Sequence, residues 1–102
     1  MPKNITRAAV LEVLASQTAA AKSVIVDPVS PAIDVERAGG LLVAVEACRK
    51  EFKAIGDDAP LATWASAVAL AKSKGMGGKT PEMREARDAG ADRIAAAIGQ
   101  IK

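Results

Sequence analysis

The decapeptide KSKGMGGKTP, residues 72–81, gathers the residue types that hold phosphate. Glycines let a backbone turn successive N–H groups toward one point, and a helix opening at a Thr-Pro pair presents its own unpaired N–H groups to an anion. Lys72, Lys74 and Lys79 would add positive charge around such a cradle, with Gly77, Gly78 and Thr80 at its wall. The ending GGKT matches the last letters of a P-loop. That motif needs a glycine five residues before its second glycine, a buried strand ahead of it and a helix starting at the lysine. Ser73 stands in the first glycine's place, a largely apolar helical stretch precedes it, and Pro81 delays the helix start. The P-loop reading fails on all three counts. A phosphate, nucleic-acid or acidic-surface contact survives as one expectation. Its plain alternative is structural: Gly75 ends one helix, Lys72 and Lys74 complement that helix's C-terminal dipole, and Thr80 caps the next helix.

Other chemistry is sparse. The chain has no histidine to act as a base near neutral pH, no tyrosine, no serine in a nucleophile turn and one cysteine. Cys48 falls between Val45 and Phe52 on an apolar stripe, where cysteine behaves as a small hydrophobe. Asp57 and Asp58 precede a helix start, and carboxylates there are explained by capping and by the helix dipole. The expectation is a protein that is not an enzyme, with no cofactor and no metal.

These residues must be positioned by helices. Four are predicted, at about residues 6–22, 31–55, 60–74 and 80–101. In the first, Asn4 or Thr6 can cap, and Val10, Val13, Leu14 and Ala21 recur at helical steps, with Gln17 breaking the stripe. The run SVIVDPVSP, residues 23–31, has consecutive β-branched residues and then prolines, which predicts an extended connector. Its Val24 and Val26 would plug the core or add a strand to another subunit. Ser30-Pro31 then reads as a capped helix start, and Gly56 as a left-handed terminator. Gly39-Gly40 lies inside the second helix, where each glycine costs about 1 kcal/mol against alanine, so close packing of another backbone is expected. The fourth helix carries Met83, Ala86, Gly90, Ile94, Ala97, Ile98 and Ile101 as its stripe.

The fold expected is therefore all-α: a single domain over residues 1–102, four-helix bundle-like, with one short extended connector at about 23–30. Length and composition agree. The chain has 102 residues, 50% hydrophobic, with alanine the main contributor and only Phe52 and Trp64 aromatic. Burial is worth about 25 cal/mol per Å2, so small side chains gain little each, and close helix contacts or a partner must compensate. The net charge of +2, from 14 basic and 12 acidic residues, gives no whole-domain field for nucleic acid or membrane. The longest uncharged run, 59–71, falls short of the roughly 20 apolar residues that span a bilayer, and the N-terminus lacks the apolar core of a signal peptide. A cytoplasmic location, or incorporation in an intracellularly assembled particle, is expected.

The third helix, LATWASAVALA, is apolar nearly all round, which predicts contact with a partner through Leu61, Trp64, Val68 and Leu70, together with Val24 and Val26. The function expected is a non-enzymatic helical assembly or interaction protein, homo-oligomeric or docked on another protein. A phage or bacterial particle component, such as a capsid accessory or connector, fits its size and composition. The alternatives are a nucleic-acid or polyanion module using the loop at 72–81, and a small regulator or inhibitor that docks on a larger protein.

Overall fold

The computed structural model describes residues 3–74 and 79–101. The chain runs β1 (Asn4–Thr6), α1 (Arg7–Val26), α2 (Ala32–Phe52), β2 (Asp58–Pro60), α3 (Leu61–Ser73) and α4 (Pro81–Gly99). The fold is an all-α, four-helix bundle-like domain with a small two-stranded antiparallel sheet.

Local signals set two of the helix starts. Thr6 caps α1, its hydroxyl accepting from the Ala9 N–H at 3.2 Å, and Thr80 caps α4, accepting from the Met83 N–H at 3.1 Å. Four expectations need correction. The first half of the stretch expected to be extended is helix, because α1 continues through Ser23-Val24-Ile25-Val26. β-Branched residues cost only a few tenths of a kcal/mol each in a helix, and Val24 recovers this by packing on Ala21, Ala38 and Leu41. The connector shrinks to a turn closed by Asp27, whose carboxylate accepts from the Val29 N–H (3.0 Å) and whose carbonyl accepts from the Ser30 N–H (3.1 Å). Ser30 does not cap α2; Pro31 holds the cap position without a side-chain bond.

At the other end of α2, Gly56 does not turn left-handed. The carbonyls there go to Arg7 instead, which donates to Phe52 O at 2.9 Å, to Ile55 O, and more distantly to Gly56 O at 3.5 Å. Nor do Asp57 and Asp58 cap α3. Asp58 pairs with Thr6 in the sheet, Ile5 with Ala59 and Asn4 with Pro60, while the Asp57 carbonyl accepts from the Arg7 N–H at 2.6 Å.

Helices α1, α2 and α4 lie along one another. Arg7 meets the end of α2 while Ala21 meets Ala38 and Leu41, so α1 and α2 are antiparallel. Contacts of α2 with α4 advance together: Glu36 with Thr80, Gly40 with Met83 and Ala86, then Leu41 and Ala44 with Gly90. Those two helices are parallel and very close. A Cβ at Gly40 would overlap the Met83 carbonyl oxygen and sit 2.8 Å from Ala86 Cβ, and one at Gly90 would sit 2.8 Å from Leu41 Cδ1. The expected close approach at Gly39-Gly40 is thus realised, with Gly40 against the backbone of α4 and Gly39 against the Met83 side chain.

The main core joins Val10 and Leu14 of α1, Val45, Cys48 and Phe52 of α2, Trp64 and Val68 of α3, and Ile94 and Ile98 of α4. A smaller cluster of Ala21, Ala38 and Leu41 serves the opposite end, where only α1, α2 and α4 meet. Gln17 of α1 lies between these clusters in sequence and keeps a buried amide oxygen with no partner among the described residues.

This packing separates two glycine substitutions. Gly40→Ala should lower stability by about 1–3 kcal/mol, because backbone rather than a flexible side chain blocks the new methyl. Gly99→Ala, with nothing within 4 Å of its Cβ, should raise it by up to about 1 kcal/mol. Urea midpoints of the two variants check both signs.

Candidate functional site

The lysine–glycine segment is dispersed over two helices. Lys72, on the last turn of α3, donates to Asp92 of α4 at 2.9 Å, and Lys74 donates to Glu51 of α2 at 2.6 Å. The hydrogen bond to Asp92, and then its charge, raise the Lys72 pKa above the ordinary 10.5. Each ammonium thus already has a carboxylate beside it, which lowers the positive potential an anion would meet. The Thr80 hydroxyl is committed to its capping role and donates to Glu36 at 3.4 Å, adding another carboxylate to the entrance of α4. Lys79 is exposed. Gly77 and Gly78, expected to line the cradle, lie outside the described residues. Helix capping and ion pairing account for Lys72, Lys74 and Thr80 without a ligand.

The expected interaction surface on α3 is corrected in part. Trp64 is fully buried and Val68 nearly so, and neither can meet a partner. The indole N–H of Trp64 is shared between Ile5 O (3.0 Å) and Ala59 O (3.1 Å), and its ring meets Phe52 edge-on with centroids 5.2 Å apart. The helix is apolar all round because its outer face is alanine with Thr63 and Ser66. Of the large side chains, only Leu61 and Leu70 reach solvent, at 38% and 46% exposure.

The apolar surface lies elsewhere. At the turn joining α1 to α2, Val26 is 76% and Val29 83% exposed, with Ile25 and Ile33 more than a third exposed beside them. Sequence reasoning included Val24 and Val26 but missed Ile25, Val29 and Ile33. The available signal was two prolines breaking the chain between aliphatic residues, which leaves those side chains no helix to pack against. Val24 does not project into solvent; it helps to line a groove of about 510 Å3 between α1 and α4, floored by Ala38 and Leu41 of α2. Ala20, Ala86 and Ala89 form its small-residue walls, and Arg37, Glu82, Glu85 and Arg93 stand on its rim.

Helix α1 has a further property that uncharged runs do not reveal. Among the described residues it is the helix with the length and apolar composition to cross a membrane, with a mean hydropathy of 1.4 and only 17% of that stretch buried. Glu12 and Lys22 interrupt its runs of alanine and aliphatics without lowering the average much.

Cys48 is fully buried, and burial first, then the charge of Glu51, pushes its pKa up from 9.0 to about 11. Such a thiol is protonated at neutral pH and shielded from reagents. Among the described residues no group of His, Cys, Asp and Glu could hold a metal ion.

Two measurements follow from this geometry. The thiolate forms more readily in the unfolded chain, so Cys48 contributes full stability below pH 9 and loses it as pH rises toward about 11. The urea midpoint should fall across that window in the wild type and less in Cys48→Ala. At about 50 mM salt, where phosphate contacts are strong, the wild type should show little affinity for DNA or RNA. Salt-sensitive binding lost in Lys72→Ala/Lys74→Ala/Lys79→Ala would restore the anion reading. Compared with known proteins, the chain matches no family model, no curated protein and no solved structure.

Proposed function

We propose that this chain is a non-enzymatic helical assembly or interaction protein that binds a protein partner through the end of the bundle where α1 turns into α2. The observation that carries this reading is the exposure of Val26 and Val29, at 76% and 83%, at the end of the bundle that also holds the alanine-walled groove. No other large apolar side chain among the described residues is more than half exposed. Contiguous exposed apolar surface of this kind marks interaction sites in soluble proteins. A core built on alanine adds to the reading, since it buries little area per residue and gains from surface covered by a partner.

The polyanion reading is the weaker alternative, because Asp92 and Glu51 already neutralise two of its lysines. A regulator or inhibitor docked on a larger protein would use the same surface and belongs to the same class. Membership of a phage or bacterial particle rests on size and composition, and recovery of the chain in purified particles would test it.

Burying a valine is worth at least about 1.5 kcal/mol, so an aspartate at each position should weaken association at least about tenfold. Val26→Asp/Val29→Asp should therefore lose self-association or partner co-purification while its far-UV circular dichroism is unchanged. Association that is indifferent to both substitutions would overturn this function. So would binding to lipid vesicles that is abolished by charges at the exposed face of α1, which would assign the apolar surface to a membrane.

A further inference from the structure

We infer that α1 pairs antiparallel with α1 of a second copy of this chain, along the outer face that runs from Ala8 to Val26, with the protomers related by a two-fold axis level with Gln17. The inference rests on the docking reading above, shares Val26 with it and names its partner.

Three features of α1 support it. First, its outer face carries a seam. Ala8, Glu12, Ala15, Ala19, Lys22 and Val26 are all exposed and follow one another at alternating steps of four and three residues. That spacing keeps one side of a helix facing another helix along its whole length. Leu11 and Ile25 flank the seam on one side, each more than a third exposed. Only 17% of the most apolar stretch of α1 is buried within the chain. Second, the seam fits its own reverse. The axis sets residues equally far before and after Gln17 opposite each other, as an isologous contact requires. Ala15 then faces Ala19, small against small, so the helices approach closely at the centre, as Gly40 and Gly90 allow inside the chain. Val26 faces Ala8, a larger side chain against a small one, and Leu11 of each copy comes beside Ile25 of the other.

Third, the charges select both the partner and its direction. Glu12 and Lys22 are the charged residues of the seam, and neither forms an ion pair among the described residues. The axis that pairs Ala15 with Ala19 also sets Glu12 of each copy against Lys22 of the other. A parallel pair would set like charge on like charge. Charged positions in an otherwise apolar seam fix register and orientation in this way. The fitting partner must present small residues at the centre, with a lysine and a glutamate in reversed order on either side. Only a second copy is certain to present that pattern.

Sedimentation velocity from low micromolar to about 200 µM, a range that reveals micromolar dimers, tests the inference through a charge swap. The expected result is a wild-type dimer. Glu12→Lys and Lys22→Glu should each weaken it at least about tenfold, because one substitution turns both two-fold-related pairs into repulsions. Glu12→Lys/Lys22→Glu should recover the dimer, since it restores both pairs with their signs exchanged. Both positions are exposed, so helical circular dichroism should be unchanged in all three variants. Mixing Ala15→Cys with Ala19→Cys under oxidising conditions should yield a mixed disulfide-linked dimer. A wild type that stays monomeric at the highest concentration overturns the inference, as does a dimer indifferent to the single substitutions or not restored by the double one. A monomer that binds phosphatidylcholine vesicles and loses them on Leu11→Asp also overturns it, by giving the face to lipid. If the monomer instead binds a different protein, and Val26→Asp/Val29→Asp abolishes that binding, the second copy is refuted while the docking function stands. If no association responds to those valines, both fall.

Discussion

The indole of Trp64 is the contact on which the rest of the fold depends. Its N–H is shared between carbonyls of β1 and β2, so one donor holds the two strands against the start of α3. Its ring stands perpendicular to that of Phe52 from the last turn of α2, and the Arg7 guanidinium lies 5.9 Å from its centroid. That same guanidinium takes the orphan carbonyls at the end of α2. A helix end left without partners is costly, and here one arginine at the head of α1 settles it. In a chain with two aromatic residues, a single cluster of rings thus fixes the N-terminus, the end of α2 and the start of α3 together.

Away from that cluster the chain relies on closeness instead of bulk. Gly40 and Gly90 let α2 and α4 approach until backbone touches side chain across the interface, which recovers dispersion energy that alanines alone would not supply. The result is an uneven molecule. One end carries both aromatic residues and nearly all the fully buried large aliphatics. The other end has Ala21, Ala38 and Leu41 for a core, a groove above them, and two valines left in solvent. The proposed function follows from this asymmetry, since the end with the thinner core is also the end with uncovered apolar surface.

The lysine–glycine segment shows how composition can resemble a ligand site and still be structural. Three lysines near glycines and a helix start make a plausible anion cradle in sequence. In space, two of the lysines belong to ion pairs with different helices, α4 for Lys72 and α2 for Lys74. The carboxylates that answer them lie about 20 residues away in sequence or more, beyond the reach of any local motif.

Helix number, the caps at Thr6 and Thr80, the buried Cys48 and the tight contact at Gly39-Gly40 were legible in the sequence, because capping, periodicity and glycine placement act over a few residues. The all-round apolar pattern of α3 was ambiguous for a physical reason: alanine is tolerated equally inside and outside, so the pattern could not say that Trp64 and Val68 face inward. A lone tryptophan in so alanine-rich a chain was the better guide, as the side chain with most area to bury. The extended reading of residues 23–26 failed because propensity differences of tenths of a kcal/mol yielded to the packing of Val24 on α2. By itself, then, the sequence determined the helices, their starts and their small-residue contacts. Only the tertiary structure decided which apolar residues remain uncovered, that Arg7 and not Gly56 closes α2, and that the lysines are paired. Those outcomes depend on which distant segments meet, and burial and charge pairing are settled only when they do.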